Sequence, residues 1–322
     1  MTKQEIKEIL QMPREEYEKT IRAQAFETML AEKKGVCATA MLGYSNICKN
    51  QCLYCGMRAS NHLPKRYRYH AEQIVELASA AYQSGLRRLF LISGEDPKFP
   101  FEDILSVIQT AKAMGFERVS LGAGEFSRSQ YEQMKAAGLD EYVMKFEMSH
   151  KDTFERLNPS TTFEKRNKAI TWIQEAGLDL GSGNIVDYPG QTLEELVDDI
   201  WLMKELNVSW APNIPYMPAA GTPLAQEGGP GRIDLMHREI SLVRLLLPRA
   251  DITAQQPGKN LKNGLGDTEG NLWAIQAGAN VLFVDLLPAA DAESFRVIDH
   301  RMVQGLEHVR GIAEKAGVNL IL

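Results

Sequence analysis

The 322 residues are 44% hydrophobic and 24% charged, enough apolar chain for one large α/β barrel or two ordinary domains. A formal charge of -6 and a pI near 5.7 argue against a general nucleic-acid surface or an anionic-membrane surface. The charged, helix-prone N-terminus lacks the apolar stretch of a signal peptide and no window approaches a membrane span, so a cytoplasmic protein is expected.

Residues from about Glu5 to Lys33 read as one or two helices, a helical extension over 1–34. Short apolar runs then alternate with longer amphipathic stretches. Strands are expected at Ala38–Tyr44, Arg88–Ser93, Arg118–Gly122, Glu141–Phe146, Asp179–Val186, Ala211–Met217, Ile252–Gln256 and Asn280–Asp285. Helices are expected near Ala71–Ser84, Phe101–Met114, Ser129–Ala137, Phe163–Ala176, Leu193–Leu206, Asp234–Leu246 and Asp267–Ala277. Glycines 85, 115, 138, 177 and 278 each stand just before an apolar run, where a positive φ can stop a helix. This alternation predicts an α/β fold, a (β/α)8 TIM barrel over 35–290. Ser294–Ala316 reads as terminal helix, within a segment 291–322 that closes the barrel.

Such a barrel carries its chemistry at the C-terminal strand ends. The informative strings fall there: a cysteine loop after the first strand, SGEDP after the second, GAGE after the third, FEMSH after the fourth and NIVDYPGQ after the fifth.

The chain has four cysteines, Cys37, Cys48, Cys52 and Cys55, and none later. Clustering of this kind points to metal or redox chemistry rather than a disulfide framework. Cys48, Cys52 and Cys55, in the pattern Cys-x3-Cys-x2-Cys, can hold three corners of an iron–sulfur cube and leave one iron open. Structural zinc wants four ligands, and neither His62 nor His70 completes such a set. Cys37 is expected to be a small buried hydrophobe, and KRYR at Lys65–Arg68 a solvated rim or a single anion contact.

With Tyr54 just before the last cysteine, this loop resembles the signature of the radical S-adenosylmethionine (SAM) superfamily. The resemblance implies one [4Fe–4S] cluster on Cys48, Cys52 and Cys55, whose open iron chelates the amino and carboxylate groups of SAM. It also implies a reductant such as flavodoxin or ferredoxin. Ser93-Gly94-Glu95 looks like the family's GGE motif, with Glu95 suited to the SAM ammonium. Glu147 suits the ribose hydroxyls and Arg166 the SAM carboxylate, while Tyr54 and Ile185 would wall the adenine.

Longer strings, among them NQCLYCGMR, KRYRY, ERLNPSTTFEKR and GSGNIVDYPGQT, resemble the group that holds the [FeFe]-hydrogenase maturase, methylornithine synthase and biotin synthase. They are nearest to the maturase. This implies a 5′-deoxyadenosyl radical acting on a small polar substrate in cofactor or modified-amino-acid biosynthesis. A methylornithine-synthase-like mutase, or a related branch with its own substrate, is the alternative. The auxiliary cluster of biotin synthase would have no ligands here, since no cysteine follows Cys55. Position alone suggests substrate contacts at Ser120, Gly124, Glu125, His150, Asn213, Gln255, Gln256 and Asp285. Gln255 and Gln256 stand where the maturase has two threonines and methylornithine synthase a serine and an aspartate.

Overall fold

Strand β1, Val36–Ser45, is buried at all ten positions, because one face looks into a barrel and the other is covered by helices. This computed structural model describes residues 1–301 and 304–322. Ahead of β1 the extension forms α1 (Lys3–Gln11), α2 (Arg14–Tyr17), a π-helical turn (Glu18–Arg22) and α3 (Ala23–Lys33). Thr2 and Glu5 close a capping box at the start of α1.

The barrel then alternates α4 (Ala71–Gln83), β2 (Arg88–Ser93), α5 (Phe101–Met114), β3 (Arg118–Gly122), α6 (Arg128–Ala136) and β4 (Glu141–Val143). It continues through α7 (Lys151–Leu157), α8 (Phe163–Glu175), β5 (Asp179–Gly181), β6 (Ile185–Val186), α9 (Leu193–Glu205), β7 (Trp210–Ala211) and β8 (Ile214–Pro215). The last turns are α10 (Ile233–Leu246), β9 (Asp251–Ile252), α11 (Thr268–Gln276), β10 (Val281–Asp285), α12 (Ala289–Ala292), α13 (Leu306–Ala316) and β11 (Leu320–Ile321). Helix α5 shows why they dock: Ile104, Val107, Ile108 and Ala111 form one buried stripe. The five glycines at helix ends all take φ between 75° and 106°.

The parallel strands run in the order β10-β1-β2-β3-β4-β5-β7-β9. The ends of that sheet meet through a bridge between Thr253 and Val281, and Ala254 N donates to Val281 O at 2.8 Å. The strands therefore curl into the (β/α)8 arrangement that the alternation predicts. β6 and β8 pair with each other as upper continuations of β5 and β7, and β11 adds to the lower end of β1.

Four expected strands are markedly shorter than their apolar runs, and Glu141–Phe146 keeps only Glu141–Val143 as β4. Asp179–Val186 breaks at 182–184 and Ala211–Met217 at 212–213, where Ser182 and Asn213 use side chains to bond neighbouring backbone. Ile252–Gln256 keeps only its first residue in β9. Beyond it, the amides of Gln255 and Gln256 replace the ladder, as described below.

The expected helix Ser294–Ala316 is also corrected: α13 covers only Leu306–Ala316, and residues 302 and 303 lie outside the described residues. Residues 294–301 instead form a strap tied to the loops at the barrel mouth. Asn46 Nδ2 donates to Ser294 O at 2.7 Å, Gly56 N to Val297 O at 2.9 Å and Leu265 N to Arg301 O at 3.2 Å. Ala220 N donates to Asp299 Oδ2 at 2.9 Å. A strap tied to three separate loops has no need of helical bonds. No helix among the described residues is long and apolar enough to cross a membrane.

Candidate active site

The loop after β1 carries Cys48, Cys52 and Cys55, and its shape is set by Arg66. That guanidinium donates to the carbonyls of Asn46 (2.6 Å), Met57 (2.9 Å), Arg58 (2.7 Å) and Asn61 (2.8 Å). Arg68 forks onto Asp96, with both bonds at 2.6 Å. KRYR is thus neither a rim nor an anion site; its two arginines brace the cysteine loop and the loop after β2. Leu53 N donates to Leu157 O at 2.9 Å and Tyr54 Oη to Asn158 Oδ1 at 2.7 Å, so the loop also leans on the end of α7.

The three thiols are free and partly exposed. Burial pushes the Cys52 thiol up to about 12, with the neighbouring Cys48 adding to it, and burial raises Cys48 and Cys55 as well. Thiols so placed give up their protons to a metal rather than to water. Among the described residues no three His, Cys, Asp or Glu side chains share a point where one metal ion would sit. A cube that is held at separate corners needs no such point, so the donor set fits a cluster better than a single ion. Cys37 is buried at the opposite end of β1 beside Arg88 and Asn280.

Strand β2 delivers Ser93, Gly94 and Glu95 against this loop. A Cβ on Gly94 would lie 2.3 Å from Ile47 O and 2.8 Å from Cys48 Cβ, so only glycine lets the two loops touch. Glu95 takes Asn50 Nδ2 on Oε2 at 2.8 Å. Its Oε1 is buried without a hydrogen bond, although Lys49 Nζ lies 2.6 Å away at a poor angle. Ser93 turns its hydroxyl back to Gly94 O, and Gly124 packs under the Glu95 side chain.

Glu147 repeats this pattern. Its backbone sits at φ 64°, a left-handed conformation that non-glycine residues rarely adopt and that clusters at functional sites. Its Oε2 is likewise buried without a hydrogen bond, with Lys145 Nζ 3.2 Å away. Arg166, in the first turn of α8, is buried and donates Nη1 to Lys145 O at 2.6 Å and Nε to Glu125 Oε1 at 3.0 Å. Cys48 also acts on the Cys52 thiol, and Arg166 and Glu147 lie close enough for their charges to do so. Tyr54 and Ile185 join an apolar cluster with Phe154, Tyr188 and Tyr216 beside this group. Glu95 therefore lies against the three-thiol loop, and Glu147 and the buried Arg166 lie near Cys52. That set fits a cluster-bound zwitterion carrying an apolar ring.

Inside the barrel lies a cavity of about 180 Å³. Its floor is aromatic: Phe90 meets Trp210 edge-on at 4.8 Å, and Phe283 packs on both. Trp210 Nε1 donates to Thr253 Oγ1 at 3.0 Å, which leaves the floor without an unmet donor. Lys145 and Arg301 stand on the wall, and Phe295, Val297 and Ile298 of the strap cover one side.

Most residues expected to touch substrate face elsewhere. Ser120, two residues before the end of β3, donates to Glu141 near the barrel bottom. Glu125 is bound by Arg166, Lys165 and Thr161; burial works to raise its pKa, but the two cations outweigh it and hold it below the usual value. His150 pairs with Asp198 on α9 at 2.8 Å and is half exposed on the outside. Asn213 turns toward the helix layer, donating to Glu239 at 2.6 Å. Gln256 donates to Asn213 O and Thr253 O outside the cavity lining. Gln255 does line the cavity, but its amide is paired on both sides with the backbone of Phe283. Asp285 holds Arg301 at 3.0 Å. Arg66, Lys145, Arg301 and the aromatic floor were missed, because strand-end position reveals neither loop bracing nor a strap that returns from far along the chain.

A family model described as the radical SAM superfamily matches residues 42–202. The chain is 36% identical over 250 residues to the [FeFe] hydrogenase maturase subunit HydE of Thermotoga maritima, covering 78% of this chain and 70% of that protein. It is 29% identical over 249 residues to a biotin synthase of Acinetobacter baumannii, covering 73% and 71%. The crystal structure of methylornithine synthase (PylB) superposes with a TM-score of 0.83 at 21% identity, over 100% of this chain and 94% of that one. The cysteine loop, Glu95, Glu147 and Arg166 all lie within the matched residues, and the chain belongs to the radical SAM superfamily of enzymes.

Proposed function

We propose that this enzyme reductively cleaves SAM and directs the resulting radical onto a small molecule held in the barrel, in a hydrogenase-maturase-like reaction of cofactor or modified-amino-acid biosynthesis. One observation carries the reading: two buried carboxylate oxygens without hydrogen bonds and a buried arginine flank the three-cysteine loop, and Lys145, which pairs with Glu147, lines a cavity inside the barrel. Cys48, Cys52 and Cys55 would hold a [4Fe–4S] cluster, and the pair of cluster and SAM supplies, when bound and reduced, a 5′-deoxyadenosyl radical.

The chain's own groups bind and orient. Glu95 offers Oε1 to an ammonium beside the open iron, and Gly94 keeps the backbone low enough for that approach. Arg166 offers its fork to the SAM carboxylate, held in place by Glu125 and Lys145 O. Glu147 accepts from ribose hydroxyls, with Tyr54 and Ile185 against the adenine. The strap residues Phe295, Val297 and Ile298 exclude water from the cavity. The 36% identity with HydE supports the maturase-like reading over a carbon-skeleton mutase.

Anaerobic reconstitution with iron, sulfide, SAM and dithionite tests this. The expected products are 5′-deoxyadenosine and methionine. Their absence from protein whose cluster is verified by iron content and absorbance overturns the reading.

A further inference from the structure

The cavity wall is unlike what a polar substrate would need. Among the described residues its charged members are Lys145 and Arg301, both cations, and no carboxylate lines it. The rest is mostly apolar or aromatic, and the one nearby amide, Gln255, is already paired with backbone. The cavity measures about 180 Å³, room for a small molecule.

Arg301 is 7% exposed, and among the described residues it meets Asp285 Oδ2 at 3.0 Å, the Met41 thioether at 4.0 Å and the Phe295 ring, 5.0 Å from its Cζ. A guanidinium has five donors in a fixed fork, so one oxygen partner leaves donors for a ligand. Lys145 is paired with Glu147 and Arg301 with Asp285, and neither carboxylate lines the cavity, so the charged groups that face its interior are both cations.

We infer that the substrate of this enzyme is a small monocarboxylate with an apolar body, its carboxylate recognised by Arg301 and its body resting on Phe90, Trp210 and Phe283. Arg301 arrives on the strap, so the segment that seals the cavity also selects what enters it. The inference rests on the barrel cavity being the substrate site of the proposed reaction, and it deepens that reading.

Isothermal titration of cluster-loaded protein with SAM, without reductant, tests it with three probes of one shape. Isocaproate carries the carboxylate, isocaproamide lacks the charge, and isopentylamine reverses it. Isocaproate is expected to bind at least tenfold more tightly than the amide, with the amine weakest. Arg301→Gln should bring the acid down to the level of the amide, and Arg301→Lys should restore part of the difference. Equal affinities for acid and amide, tightest binding by the amine, no binding of the acid, or an unchanged acid affinity in Arg301→Gln would each overturn the inference. Should Arg301→Gln not fold, the acid–amide comparison on the unaltered protein still decides. Because no reductant is present, this outcome is independent of whether SAM is cleaved.

Discussion

Glu125 holds Arg166 through a 3.0 Å bond to Nε, and the glutamate side chain in that pair is 3% exposed. The arginine's Nη1 is fixed separately by Lys145 O. A guanidinium gripped at two of its nitrogens presents its remaining donors in one direction, which is how a positioned fork differs from a mobile surface arginine.

Glu125→Gln should therefore loosen SAM without touching the cluster. Lys165 and Thr161 also contact Glu125, so the arginine is displaced rather than expelled. The dissociation constant for SAM is expected to rise about three- to tenfold, the range of a buried charged hydrogen bond weakened to a neutral one. Equilibrium binding of SAM to reconstituted protein, with iron content measured in parallel, checks it. An unchanged SAM affinity would assign Glu125 to folding alone.

Arg66 carries a larger load, since four carbonyls of the cysteine loop converge on it. Lysine has three donors and no planar fork, so Arg66→Lys cannot satisfy all four. Each unmet buried carbonyl costs about 1–3 kcal/mol. Arg66→Lys is expected to lose most of its iron after reconstitution and to unfold at a lower temperature. Full iron occupancy in a folded Arg66→Lys protein would show that the loop is shaped by its cysteines instead.

The barrel was legible from the chain because its βα units repeat one pattern, an apolar strand and an amphipathic helix, five of the helices being closed by glycine. Arg88–Ser93 and Arg118–Gly122 match their expected bounds. The cysteine spacing, Gly94-Glu95, Glu147 and Arg166 stood out because each lies near where a strand or helix begins or ends; Glu95 lies against the cysteine loop, and Glu147 and Arg166 near Cys52. Side-chain direction was not legible. Ser120 and Asn213 lie on strands or strand ends, yet one points to the barrel bottom and the other to the helix layer. Ser294–Arg301 looked helical because its composition permits it, whereas long-range partners from three loops decide its course.

The four cysteines divide by place. Cys48→Ala, Cys52→Ala and Cys55→Ala should each abolish the broad iron–sulfur absorbance and 5′-deoxyadenosine formation. Cys37, buried at the far end of β1, should tolerate alanine with a stability loss of about 1 kcal/mol and unchanged product formation. Retention of a full cluster after loss of Cys52 would remove that residue from the ligand set.

The last prediction concerns pH. Asn184 Nδ2 donates to Glu239 Oε2 at 3.1 Å and to Asp199 Oδ2 at 3.3 Å, bringing two buried carboxyls to one amide. Burial pushes Glu239 up to about 8 and Asp199 up to about 6. A carboxyl whose pKa is raised by folding holds its proton more tightly in the native chain than in the unfolded one. Stability is then fullest below the unfolded value of 4.5, and it declines as pH rises until Glu239 ionises near 8. The native protein should lose on the order of a few kcal/mol across that interval. Glu239→Gln cannot ionise, so the part of the decline between pH 6 and 8 should flatten. Its overall stability should be lower, because one amide N–H then faces the donors of Asn184 or Asn213. Denaturant titrations of both proteins at a series of pH values decide it. Parallel curves would mean that this pair keeps its charge in the folded state.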